Sequence, residues 1–255
     1  MDINLFYSLI VGAFIGLASG YLGSLMVLRK MSLVGDALSH VALPGLALGL
    51  LFNFNPFFGA FGILFLAVIL IWLVESRSKL STETLVGVFF TLSLAIGLII
   101  TPQPELLEAL FGDISKTSLA ETLLTIVFSL VAMIAVYKIY NNLILGTISD
   151  DLAKSVGVRT KKSDFIFLMM VAVIVALAIK VVGTLLMGAL VIIPAAASKN
   201  LSRDLSNYKS FSCFFGLFSA VAGIYLASVL KFSPGPIVVL VSAAIFFVSL
   251  IFKKD

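Results

Sequence analysis

Two ionisable residues, Asp36 and His40, lie four positions apart in the stretch GDALSHVALPG at residues 35–45. Side chains four apart on a helix share one face, with Cβ atoms about 5–6 Å apart, so the carboxylate and the imidazole can converge on one bound atom. This mixture of oxygen and nitrogen ligands suits divalent zinc, manganese or iron. The pair therefore predicts a metal-binding position, and His40 is the only histidine in the chain.

Two alternatives stay open for this pair when only its spacing is considered. Asp36 could cap the start of a helix near the membrane surface, and His40 could bond a neighbouring carbonyl. Two side chains are also too few ligands for an ion. Waters, a carbonyl, or the same Asp36 and His40 of a second copy across a two-fold axis would have to complete the site.

The residues beside the pair predict an irregular helix. Ser39 adds a hydroxyl, Pro44 frees a backbone carbonyl one turn before it, and Gly45 permits close backbone approach. We therefore predict a hinge or helix break at Pro44 and Gly45. Pro194, in VIIPAAAS, is a second candidate for a hinge or break, with a tolerated kink among small residues as its alternative.

The elements that must hold these residues are membrane helices. Of the 255 residues, 61% are hydrophobic and only 12% charged, and the mean hydropathy is +1.19. A soluble domain is about 45–50% apolar. The apolar runs are continuous rather than alternating, which excludes barrel strands and predicts an all-α, polytopic membrane protein with one domain over residues 1–255. The charge-free runs are 5–28, 41–74, 84–104, 122–137, 165–179, 181–198, 210–230 and 232–252.

The run at 41–74, together with the stretch just before it, is predicted to hold two spans separated by NFNP at 53–56, which makes nine predicted crossings. With the N-terminus outside and the C-terminus cytoplasmic, fourteen of the seventeen Lys and Arg residues fall on the cytoplasmic side, as expected for a bacterial inner-membrane protein. The weakest crossing is 183–198. If this segment is re-entrant, the number of crossings falls to eight and the orientation of the earlier spans in the membrane is reversed. The net charge of +4 reflects these basic loops and indicates no nucleic-acid partner.

A second informative stretch is the polar interval at residues 141–164, which contains a short helical pattern. Ser149 or Asp150 is the predicted N-cap, with Asp151 in the first turn; Leu152, Ala153 and Val156 are apolar, and Gly157 ends the helix. The pattern fits either a local surface helix or a docking helix for a soluble partner.

Several enzyme classes are excluded by what the sequence lacks. No GxxxxGK[ST] phosphate loop occurs, so the chain does not hydrolyse ATP itself. A single histidine leaves little room for acid–base catalysis. We expect a non-catalytic membrane protein: a channel, an ion-coupled carrier, or the membrane half of a machine powered by another chain.

Four segments resemble the permease subunit of bacterial ABC-3 metal-uptake transporters, in the same order along the chain. They are VLRKMSLVGDALSHVALPGLALG at 27–49, SDDLAKSVGV at 149–158, VVGTLLMGALVIIPAAASKNL at 181–201 and PGPIVVLVSAAIFFVSL at 234–250. The resemblance spans about residues 5–252.

The resemblance implies a type II importer architecture like that of the vitamin B12 permease. It implies a second permease copy, two cytoplasmic ATPase subunits that bind ATP, and an extracytoplasmic metal-binding protein. By similarity, Asp36 and His40 occupy the metal position, 149–158 is the coupling helix, and the outer segment 103–118 faces the binding protein. No tightly bound cofactor is implied. The cargo is zinc, manganese or iron, with zinc as our first choice; an ion-coupled carrier or channel without an ATPase is the alternative.

Overall fold

The computed structural model describes residues 3–78, 80–100, 117–184 and 186–252, and every regular element in these ranges is a helix, as the sequence predicts. The predicted outer segment 103–118 lies outside the described residues except for its last two positions. The helices of the described residues are α1 (Ile3–Leu28), α2 (Val34–Val41), α3 (Leu43–Leu51), α4 (Pro56–Arg77), α5 (Thr82–Ile100), α6 (Leu119–Ile148), α7 (Asp150–Ser155), α8 (Thr160–Val182), α9 (Met187–Leu201), α10 (Leu205–Leu230) and α11 (Pro234–Ile251).

Eight stretches of the described chain are long and apolar enough to cross a membrane, with α2 and α3 together forming one of them, Val34–Leu51. The remaining predicted crossing, at 183–198, corresponds to α9, which has only 15 residues. A helix of that length is about 22 Å long, shorter than the roughly 30 Å of a hydrocarbon core. The described residues thus contain seven long helices, the interrupted stretch formed by α2 and α3, and the short apolar helix α9.

Contacts between helix ends show that α9 nevertheless returns the chain across the bundle. Arg29, just after α1, pairs with Asp164 at the start of α8, so these ends share one side, which we call the Arg29 end. The Asn200 amide near the end of α9 donates to Ser249 near the end of α11. The Ser198 hydroxyl donates to the Tyr208 carbonyl near the start of α10. Ser212 of α10 lies against Gly20 in the second half of α1, and Gly216 lies against Gly16, so α10 starts near the Arg29 end. Because α8 leads away from that end, α9 must bring the chain back.

Helices α1 and α10 pack so closely that their backbones are in contact. They run antiparallel, and a Cβ on Gly16 or Gly20 would collide with the backbone carbonyl of Gly216 or Ser212. The Ser212 hydroxyl donates to the Gly20 carbonyl at 2.6 Å. Small residues allow this approach, and close van der Waals packing rather than the hydrophobic effect drives helix association in lipid.

Helix α8 lies at the centre of the bundle, and 72% of the residues in its apolar stretch are buried inside the protein. It contacts α1, α4, α6 and α2. One of its ends adjoins the short helix α7, and the other leads to the α8–α9 connection, of which Gly183, Thr184 and Leu186 are described. Both stretches that the sequence singles out are therefore neighbours of this one helix.

Candidate metal site

The helix α2 carries both candidate ligands, Asp36 in its first turn and His40 in its last. Both residues are half-buried, and α2 packs mainly against α5 and α9. The N-cap of α2 is Leu33, and no side-chain cap hydrogen bond forms there. Arg29 is paired with Asp164 instead of Asp36. The alternative in which Asp36 serves as the helix cap is therefore wrong.

One nitrogen of the His40 imidazole, Nδ1, is buried and has no hydrogen-bond partner among the described residues. The ring packs against the ring of Phe90 of α5 in an edge-to-face arrangement, with ring centroids 5.3 Å apart. Burying a polar atom without a partner is costly, so this nitrogen is a group that a metal ion would satisfy.

The carboxylate of Asp36 lies directly against the first turn of α9. A Cβ built on Gly188 would sit 2.5 Å from Asp36 Cβ and 2.6 Å from Asp36 Oδ1. Next to it, the fully buried Ser39 hydroxyl lies 2.6 Å from the Thr184 carbonyl oxygen and 2.7 Å from the Asp36 carbonyl oxygen, and can donate to either. The start of α9 therefore packs against the Asp36 side chain, and Thr184 of the α8–α9 connection is within hydrogen-bond distance of Ser39, three residues further along α2.

Within the described residues, no group of three or more His, Cys, Asp or Glu side chains could hold a metal ion. Asp36 and His40 supply two ligands of the required types, one oxygen and one nitrogen. The other ligands that the sequence analysis considers are waters, a carbonyl and the same pair from a second copy.

The predicted hinge residues have different surroundings. The interruption between α2 and α3 falls at Ala42, and Pro44 occupies one of the first two positions of α3, where a missing N–H costs little. Gly45 contacts Gly59 of α4 backbone to backbone. By contrast, α9 runs through the buried Pro194 without interruption. A hinge role for any of these residues stays a prediction.

The short polar helix forms as predicted. Ser149 is the N-cap of α7, and its hydroxyl accepts from the Leu152 N–H at 3.3 Å. The helix ends in a Schellman motif around Gly157, which has φ of +81°: the Val158 N–H donates to the Ala153 carbonyl and the Gly157 N–H to the Lys154 carbonyl. Local capping chemistry thus fixes both ends.

The apolar positions of α7 face two directions. Ala153 is fully buried against the bundle, whereas Leu152 is 64% exposed and Val156 69% exposed. Asp150 and Asp151 lie in the first turn. Beside Val156, a cavity of about 400 Å³ opens between α6 and α8, with Arg159 and Lys162 at its lining. The exposed apolar pair and the neighbouring cavity leave this surface open to a soluble partner.

Sequence reasoning missed Gly188 and the acceptor role of Thr184. Both lie about 150 positions from Asp36, and one glycine among the nineteen of the chain carries no local signal of its partner. Ser39 was noticed for its hydroxyl, but its acceptor 145 residues away was not predictable from spacing.

Comparison with known proteins matches the chain to one family over nearly its whole length. The model of the ABC 3 transport family matches residues 1–253. The high-affinity zinc uptake system membrane protein ZnuB of Haemophilus influenzae is 32% identical, with 98% of each chain covered. The manganese transport system membrane protein MntC of Listeria monocytogenes is 30% identical, covering 96% of this chain and 89% of the relative. A solved structure of PsaBC from Streptococcus pneumoniae, in complex with Fab, has a TM-score of 0.84 and 27% identity, covering 98% of this chain and 91% of that one.

Proposed function

The chain belongs to the ABC 3 transport family, and we propose that it is the permease subunit of an ATP-driven importer that carries a divalent transition-metal ion into the cytoplasm. Relatives named for zinc and for manganese uptake support this class of cargo. Asp and His ligands serve both metals, so the proposed cargo is zinc, manganese or iron.

The observation that carries the proposal is the pair on α2. Asp36 and His40 lie one turn apart in a membrane-spanning stretch, and His40 Nδ1 is buried without a partner. Ionisable groups in a membrane span are costly unless they are paired or line a path for a substrate. We propose that the two side chains hold the ion briefly and that a second copy of the chain contributes the same pair.

Transport of this kind requires a source of energy that the chain does not contain. We propose that two cytoplasmic ATPase subunits dock on α7, where Leu152 and Val156 are exposed. Movement of α7 would then switch access to the pair between the outside and the cytoplasm. An extracytoplasmic metal-binding protein would deliver the ion at the outer face, in the region of residues 103–118. In this orientation the Arg29 end is cytoplasmic.

The proposal is tested by metal uptake into proteoliposomes that hold the chain with its ATPase and loaded binding protein. We expect Asp36→Ala and His40→Ala to abolish uptake while ATP hydrolysis continues, because the ion loses a direct ligand. Glu83→Ala removes an exposed acid in the first turn of α5 and is the matched control. Wild-type uptake by both site variants would contradict the proposed site.

The second candidate function, an ion-coupled carrier or channel, predicts uptake without the ATPase. Liposomes that contain only the chain distinguish the two. Uptake driven by an ion gradient alone would favour the carrier, whereas uptake that requires ATP and the ATPase would support the importer.

A further inference from the structure

We propose that the α8–α9 connection positions the Asp36 carboxylate for the metal ion, with Gly188 and Ser39 as the positioning residues. The inference rests on the proposed role of Asp36 as a ligand. It concerns residues that do not themselves bind the ion, and it explains how packing against α9 limits the orientations open to the carboxylate.

The first argument is the contact at Gly188. A Cβ at this position would lie 2.5 Å from Asp36 Cβ, 2.6 Å from Oδ1 and 2.9 Å from Cγ, all closer than real Cβ contacts. The backbone of α9 therefore forms a wall against one side of the carboxylate. One turn later, Val191 packs against Gly35 of α2, with its Cγ2 3.7 Å from a Cβ built there. Two successive turns of α9 thus fix the position of Asp36.

The second argument is the hydrogen bonding of Ser39. Its hydroxyl is completely buried and lies within 2.6–2.7 Å of the carbonyl oxygens of Thr184 and Asp36. The hydroxyl has one hydrogen to donate, so Ser39 bonds the α8–α9 connection when it donates to Thr184 and the backbone of α2 when it donates to Asp36. The Thr184 hydroxyl is buried without a hydrogen-bond partner among the described residues, whereas the Thr184 carbonyl can accept from Ser39.

The third argument is the shape of the connection itself. Gly183 ends α8 with φ of +80°, a conformation that side chains other than glycine rarely adopt. This residue turns the chain so that Thr184 reaches Ser39 and the start of α9 reaches Asp36. Groups that orient a metal ligand without touching the metal change affinity by about 10–100-fold when they are removed.

The test compares matched pairs of substitutions in the complete importer. Gly188→Ala adds a methyl group against Asp36, and Gly62→Ala adds the same group to α4 where no atom lies within 4 Å. Ser39→Ala removes the hydroxyl, and Ser242→Ala removes a buried serine hydroxyl that donates only within α11. For each variant the measurements are the Mn²⁺ dissociation constant by electron paramagnetic resonance, the ATPase rate and the unfolding midpoint.

We expect Gly188→Ala and Ser39→Ala to raise the Mn²⁺ dissociation constant about 10–100-fold with little change in basal ATPase rate. The two controls should retain wild-type affinity. If Gly188→Ala lowers the unfolding midpoint, the Mn²⁺ dissociation constant of Ser39→Ala alone tests the inference. Wild-type affinity in Ser39→Ala and in folded Gly188→Ala would overturn the inference, provided that Asp36→Ala abolishes binding. If Asp36→Ala also binds normally, the proposed metal site itself is wrong.

Discussion

Two groups of ionisable side chains that lie among the described apolar helices differ in how their charges are satisfied. Near the end of α1, Arg29 Nη2 lies 2.6 Å from Asp164 Oδ1, and the guanidinium also lies over the Phe167 ring. On α2, Asp36 and His40 form no such ion pair with any described residue, and the buried His40 Nδ1 has no hydrogen-bond partner there either. Although Arg29 Nη1 is also buried without a hydrogen-bond partner, the charge of Arg29 is balanced by Asp164. Among the described residues, no ion pair balances the charge of Asp36 in the same way. That difference separates a structural pair from a candidate binding pair.

The largest expected effect sharpens this contrast at Asp36. Asp36→Asn keeps the size of the side chain but removes its charge, so we expect metal uptake to fall by more than about 100-fold, since even indirect partners of a ligand affect affinity by 10–100-fold. Protein stability should not fall, because an unpaired charge is removed from a half-buried position. Uptake assays and thermal unfolding in detergent measure the two quantities. A variant that unfolds more easily but still transports would reverse our assignment of the two pairs.

A smaller effect of the opposite kind is expected at Asp164. Asp164→Ala leaves the Arg29 guanidinium, whose side chain is only 12% exposed, without its ion-pair partner. Removing one partner of a fully buried pair costs about 3–5 kcal/mol. Because Asp164 is 32% exposed, we expect about 1–3 kcal/mol in the free energy of unfolding. Denaturation in detergent measures the loss. Metal affinity should stay unchanged, and a change in affinity as large as that of Asp36→Asn would break the comparison.

The smallest effect is expected at a third pair, Asp150 and Lys154 on α7, which lies on the surface. Lys154→Met should move the unfolding midpoint by no more than about 1 °C, because exposed ion pairs contribute little. The hydrogen bond from Lys154 is the main cause that holds the pKa of Asp150 below its usual value. A lowered pKa contributes stability above the unfolded-state pKa, and this is lost as pH falls through the folded-state pKa. Carboxyl titration by NMR should show the Asp150 pKa rise in Lys154→Met; an unchanged pKa would contradict the assigned cause.

The features that depend on nearby residues were predictable from the sequence, and those that depend on distant ones were not. Continuous apolar runs predicted the membrane helices, and a serine cap with a glycine stop predicted α7, because length and capping are local properties. The spacing of Asp36 and His40 placed them on one helix for the same reason. The partners of Arg29 and Ser39 lie 135 and 145 residues away, so only tertiary packing brings them together.

The uninterrupted helix α8 connects the two stretches that the sequence singles out, because one of its ends adjoins α7 and the other leads to the connection that contacts α2. Its 23 residues form a rod about 34 Å long, with α7 and its loop at one end and Gly183 at the other. A tilt of about 5° about one end displaces the other by about 3 Å, by the geometry of such a rod. A shift of that size exceeds the range of a hydrogen bond, so it would separate Ser39 from the Thr184 carbonyl. A small tilt of α8 that starts at its α7 end would thus change the contacts of Ser39, three residues from Asp36.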